Sequence, residues 1–244
     1  MSESMPNWAF SAKNCPSLIG QGFHCQANGR RDKLYLKFNG EEFLEKYRGK
    51  KIIFVGLIEL QPVALICMLH AVVPKSKYTL TTRGSLNIFT LPEYRVSVME
   101  LKNGFLVDVV KESVGQVLKL DSISTAGMWK GNDVLIFNSF HWWNHSGSEW
   151  GKLRVKSCKG QTKPVSGSTY LEGPDHGEER VKTIMSKIKK PVYLLDITLL
   201  TQLRKDGHPS IYAGEGTKLM DCSHWCLVGV PDTWNQLLYT ALVG

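Results

Sequence analysis

The 244-residue sequence has no run of eighteen apolar residues, which excludes a membrane-spanning helix from it. Its most apolar stretch, residues 57–73, is interrupted by Glu59, Gln61, Pro62 and His70 and reads as a buried helix broken at Pro74. Residues 1–22 lack a basic segment followed by an apolar one, so they do not form a signal peptide. Paired C-x2-C spacing is missing, which argues against a structural zinc site. Internal repeats and low-complexity tracts are also missing. What is present is an ordinary globular balance, 43% hydrophobic and 21% charged, which excludes disorder and collagen-like repeats.

The net charge is +8, from 30 Lys and Arg against 22 Asp and Glu. An excess of this size favours anionic partners and raises the question of nucleic acid. The basic residues fall in short clusters with acids interleaved and no RNA- or DNA-binding signature beside them, so a solvated basic surface and no nucleic-acid partner is the reading. Six cysteines, Cys15, Cys25, Cys67, Cys158, Cys222 and Cys226, are an even number spread along the chain. Cys222 and Cys226 flank His224 and suggest a metal cluster, but no second ligand pair complements them, so no metal is expected. Three disulfides formed in an oxidising compartment is the better account, and the sequon Asn144-His145-Ser146 agrees with it. The missing signal peptide opposes it: either the true N-terminus is lacking, or the chain stays where thiols remain reduced.

Residues 1–33 read as an irregular segment held down by disulfides, and residues 34–244 as one α/β domain. Within that domain a short helix around Phe43 and Leu44 ends at Gly49, and the β-branched run 51–56 has the look of a buried first strand of a parallel sheet. Residues 85–90, 95–101 and 105–110 read as strands, the last two joined at the turn signal Asn103-Gly104. Residues 133–138 read as a buried strand, 146–178 as a long loop, 181–188 as a helix, 191–197 as a strand and 234–242 as a terminal helix. Strands alternating with helices predict an α/β sandwich.

Ligands of parallel α/β sheets gather at the carboxyl ends of strands. Three features qualify: Gly56, the group from Asn138 to Trp143, and Asp221-Cys222-Ser223-His224-Trp225-Cys226. An Asp three residues before a His can share its turn and bind one ring nitrogen while the other faces a nucleophile. Trp142 and Trp143 fit stacking on sugar rings and simple core packing equally well. His208, in Asp206-Gly207-His208-Pro209, reads as a turn residue.

The block from Asp221 to Asn235 resembles the C-terminal block of the plant trichome birefringence-like family, also called PC-esterase-like, which are Golgi polysaccharide O-acetyltransferases. The runs 25–30, 48–56, 74–78, 137–143, 158–162 and 203–209 follow in family order, so the resemblance covers nearly the whole chain from Cys15 onward. It implies a three-layer SGNH-hydrolase-like sandwich with a mainly parallel sheet. It also implies acetyl transfer through a serine to a hydroxyl of xylan, xyloglucan or a similar wall polymer, in the Golgi lumen, with no bound cofactor and an unnamed acetyl donor. Under it, His224 is the base, Asp221 fixes the His tautomer, and Asn138 is a weaker site candidate together with Trp142 and Trp143 as substrate contacts. It further implies the pairs Cys15–Cys67, Cys25–Cys226 and Cys158–Cys222.

The departures from the family pattern are specific. Where the family has Gly-Asp-Ser and then Leu-Ser-x-Asn-Gln-Trp, this chain reads Gly56-Leu57-Ile58-Glu59-Leu60-Gln61-Pro62-Val63-Ala64, with no serine nucleophile. Family segments are also lacking between Lys37 and Phe38 and between His145 and Ser146, as is the N-terminal signal anchor. The chain is therefore expected to be nearly inactive: an acetyltransferase scaffold or, alternatively, a non-catalytic polysaccharide-binding remnant or pseudogene product. One allowed coding of residues 57–64, read one base later, spells Ser-Leu-Ser-Phe-Asn-Gln-Trp, the family motif. Genomic and transcript reads across codons 56–66 are accordingly expected to carry that motif in a shifted frame; reads that support other codons and no shift refute it.

Overall fold

The computed structural model describes residues 38–56, 60–138, 158–169, 176–212, 221–222 and 224–244. They fall in two compact units, one within Asn39–Arg154 and one made of Phe38 with the described residues of Val155–Gly244. In chain order the elements of the first are α1 (Gly40–Lys46), β1 (Lys51–Gly56), α2 (Leu60–Val72), β2 (Thr79–Arg83), β3 (Leu86–Leu91), β4 (Val96–Lys102), β5 (Asp108–Glu112), β6 (Gly115–Lys119) and β7 (Val134–Asn138). The second contains α3 (His176–Met185), α4 (Thr198–Leu203) and α5 (Val230–Val243).

The first unit is built on a five-stranded sheet of order β2-β3-β4-β1-β7. Strand β1 lies at its heart, parallel to β4 on one side and to β7 on the other, and residues 52–55 of it are fully buried. Such a strand has no polar face, which is why its sequence is a continuous apolar run rather than an alternating one. The α/β class holds, but the sheet is mixed rather than mainly parallel: β2, β3 and β4 form an antiparallel meander. The cause is local. Gly84, at φ +60, opens a two-residue loop between β2 and β3, and a four-residue loop joins β3 to β4, closed by the Arg95 amide on the Pro92 carbonyl at 3.1 Å.

Two strand expectations are corrected by what surrounds them. Asn103-Gly104 does not fold β5 back onto β4, because β4 already has β3 and β1 on its two edges; β5 pairs with β6 in a separate two-stranded sheet. Residues 133–138 are not a buried strand: among the described residues β7 is an edge strand paired with β1 alone, and Leu135 and Phe137 are 42% and 49% exposed. Trp129 packs edge-on against Phe137 with ring centroids 5.1 Å apart. The start of β7 is pinned by Asp133, whose carboxylate accepts from the Lys51 amide at 2.8 Å and from Lys50 Nζ at 2.9 Å. The Lys50 contact, followed by that amide, holds the carboxyl below the usual range.

Helix α2 is buried at every position from Leu60 to Leu69, which matches a sequence apolar on all sides. Pro62 is tolerated because it lies in the first turn, where its missing N–H would have had no partner. In the second unit, residues 191–197 form no strand, and Val192 and Tyr193 are largely exposed. The helix expected over 181–188 is α3 and ends at Met185: Val181, Ile184 and Met185 lie in it at helical spacing, Ile188 lies past its end, and Ile184 is 60% and Ile188 45% exposed.

Gly56 closes β1 against the end of β7. A Cβ there would sit 1.9 Å from the Asn138 carbonyl oxygen, and its φ of +157 disfavours any side chain. Replacing Gly56 by Ala is expected to cost at least ~2 kcal/mol and to lower the thermal midpoint by roughly 4–8 °C; an unchanged melting curve would show that the two strand ends are not this close.

Candidate active site

The second unit presents a carboxylate–imidazole pair. Asp221 and His224 occupy one turn: Asp221 Oδ1 accepts from the His224 backbone amide at 3.1 Å, and Asp221 Oδ2 lies 2.9 Å from His224 Nδ1. An ionised carboxylate only accepts, so this contact places the imidazole proton on Nδ1 and assigns base chemistry to Nε2. The Asp221 side chain is 15% exposed and that of His224 47%. The orienting acid is thus sheltered, while the imidazole reaches solvent.

Three supports hold this turn. A disulfide joins Cys158 to Cys222, next to Asp221, with Cα atoms 5.6 Å apart across 64 residues; closing a loop of that length stabilises by roughly 4 kcal/mol in the chain-entropy account. The backbones of Ser210 and Asp221 exchange hydrogen bonds at 2.7 and 3.3 Å in an antiparallel bridge, and the Cys226 amide donates to the Gly207 carbonyl at 2.9 Å. Beneath the turn, Trp225 packs edge-on against Trp234 of α5, whose Nε1–H donates to Thr201 Oγ1 at 3.2 Å. Gly207 is required by contact: a Cβ would meet Val230 Cγ2 at 2.5 Å and the Trp225 ring at 3.0 Å.

Of the remaining site candidates, Asn138 ends β7 in the first unit, where its Nδ2 donates to Gln61 Oε1 at 3.1 Å, tying the strand end to the first turn of α2. Trp142, Trp143, Cys15 and Cys25 lie outside the described residues, as do Leu57, Ile58 and Glu59 after β1. Cys67 and Cys226 are disulfide-bonded. Among the described residues no group of three or more His, Cys, Asp or Glu is placed to hold a metal ion, and no helix is long and apolar enough to cross a membrane.

Residues 36–150 and 145–241 match the PC-esterase family, described as a GDSL/SGNH-like acyl-esterase family found in Pmr5 and Cas1p. The chain belongs to this family. It is 42% identical to protein trichome birefringence-like 42 of Arabidopsis thaliana, with 99% of this chain and 86% of that protein covered. Against protein trichome birefringence-like 43 of the same plant it is 39% identical, with 96% and 83% covered. Protein trichome birefringence itself is 27% identical, with 99% and 58% covered. The first of these alignments extends over 314 positions, more than the 244 residues of this PC-esterase chain, so the relative has residues with no counterpart here. The two family matches overlap at residues 145–150, the stretch that contains the His145–Ser146 junction.

Residue spacing alone found Asp221 and His224, and the Cys158–Cys222 link expected from resemblance is present. The partners of that turn were missed. His208 is more than a turn residue: its Nδ1 lies 2.7 Å from the His224 carbonyl oxygen, and its ring stacks on Trp225 with centroids 4.0 Å apart. The available signal was its position between Gly207 and Pro209, which leaves the ring as the only bulky group in a tightly constrained backbone.

Asp232, in the first turn of α5, is fully buried, and burial pushes its carboxyl up to about 7 although the Gly229 amide donates to it at 2.5 Å. A carboxyl raised in the fold contributes stability that is complete below the unfolded value near pH 4 and is lost as pH rises towards about 7. Asp232→Asn keeps the acceptor and removes the proton equilibrium. The difference in thermal midpoint between parent and variant is therefore expected to move in the variant's favour from about pH 4 to 7; a pH-independent difference would refute this assignment.

Proposed function

We propose that this chain is built as a cell-wall polysaccharide O-acetyltransferase of the Ser-His-Asp type in which the base half is retained and the serine is lost. The observation that carries the reading is the Asp221–His224 pair, at 2.9 Å in a member of the PC-esterase family. In such a centre the imidazole Nε2 takes the serine proton as its oxygen attacks the acetyl carbonyl. Asp221 steadies the imidazolium, and the proton then goes to the leaving group. In the second half a polysaccharide hydroxyl attacks the acetyl-enzyme, losing its proton to the same imidazole; the serine–acetyl ester bond breaks and the imidazolium returns the proton to the departing serine oxygen. The acceptor is a xylan- or xyloglucan-type polymer and the compartment the Golgi lumen, where oxidising conditions suit the Cys158–Cys222 link. The reading assigns no resident cofactor and names no acetyl donor.

Leu57 and Ile58 stand where the family's Asp-Ser follows Gly56. Neither has a nucleophilic atom. Loss of a triad serine leaves only the residual catalysis of binding and electrostatics. This favours a second reading of the chain as written, a polysaccharide-binding remnant that holds an acceptor without turning it over.

Acetyl transfer to a xylan oligomer, measured in the chain as written and in a Leu57→Asp/Ile58→Ser variant, separates the two. The variant is expected to exceed the parent by at least about 1,000-fold. Equal and robust activity in the parent would overturn the mechanism, and oligomer binding without turnover in both proteins would leave the binding remnant as the function.

A further inference from the structure

We propose that His208 is a positioning residue for His224, acting through a hydrogen bond from its Nδ1–H to the His224 backbone carbonyl oxygen. The inference rests on the Asp221–His224 pair being the base half of the acyl-transfer centre. It adds a group that touches neither substrate nor the reacting atoms.

The geometry comes from two short segments running side by side. The backbone of 207–210 grips the turn at both ends, Gly207 taking the Cys226 amide and Ser210 bridging to Asp221. These contacts leave the middle of the turn, where His224 sits, to be held by a side chain. His208 supplies it, with Nδ1 2.7 Å from the His224 oxygen. A carbonyl can only accept, so Nδ1 must carry the proton. Burial favours the neutral imidazole and pushes its titration below the ordinary value, so its single N–H is committed to this bond. The stack on Trp225 fixes the ring plane, and the turn before it is anchored by Arg204, whose Nε and Nη2 donate to the two oxygens of buried Asp206 at 2.9 and 3.1 Å. His224 is thus held on both sides of its Cα. Asp221 binds its amide and ring, and His208 binds its carbonyl.

A peptide plane free to rotate would swing the imidazole relative to Asp221, and sites of this kind lose function when a supporting group lets them drift by about an ångström. The bond and the stack make separable contributions. His208→Asn places an amide N–H near the position of Nδ1 but removes the ring, whereas His208→Phe keeps the ring on Trp225 and removes the donor.

The test is the solvent-exchange rate of the His224 Nδ1 proton, measured by NMR in the 15N-labelled full chain with its disulfides formed, for the parent and the Asn, Phe and Ala variants. This readout requires no acetyl transfer, so its outcome stands apart from that of the acetylation assay. Exchange is expected to quicken by about fivefold in His208→Phe and His208→Ala and to stay within about twofold of the parent in His208→Asn. Thermal midpoints recorded alongside separate loss of the bond from loss of the fold, and the Asn and Phe comparison decides if the Ala variant fails to fold. Parent-like exchange in His208→Phe, or equal acceleration in Asn and Phe, would overturn the proposal, because packing alone would then account for the residue.

Discussion

One carboxylate, held still, is the constraint on which the candidate site depends. Asp221 accepts from both the ring and the backbone amide of the same histidine, so a single side chain fixes the tautomer and the direction of approach. That arrangement needs the three intervening bonds of the turn to stay in register, and the surrounding structure supplies this from several directions. A disulfide sits beside Asp221, an antiparallel bridge comes from Ser210, and Trp225 is wedged against Trp234. Each contact is modest alone. Together they remove freedoms whose loss would otherwise have to be met at the moment of proton transfer.

What could be read from the residues follows the range of the forces involved. The buried strand β1, the all-apolar helix α2 and the Asp-x-x-His turn are set by neighbours within a few positions, and each is where local pattern places it. The failures are all questions of who lies alongside. Asn103-Gly104 is a good turn signal, but a hairpin needs a free edge, and β4 has none. The apolar run at 134–138 looks buried, and 191–197 has strand composition, but among the described residues the first has β1 alone beside it and the second has no ladder partner. His208 escaped notice for the same reason, since its partner is sixteen residues away.

The PC-esterase comparisons stand beside these non-local readings. Its alignment with a close relative is longer than the chain itself, and the family match comes in two pieces that meet at residues 145–150. A sequence pattern carries the memory of neighbours whether or not they are present. Helix α3 carries Val181, Ile184 and Met185 at helical spacing, yet Ile184 faces water, as does Ile188 beyond the helix end.

Strand β7 makes the same point with a different outcome. Its outer edge has no hydrogen-bonding partner among the described strands, and Leu135 and Phe137 leave an oily strip beside that edge. A strand with no lysine or proline of its own in Val134–Asn138 has the composition to template a further strand at such an edge. The described part of the sheet thus offers a sixth strand a ladder to join at that border.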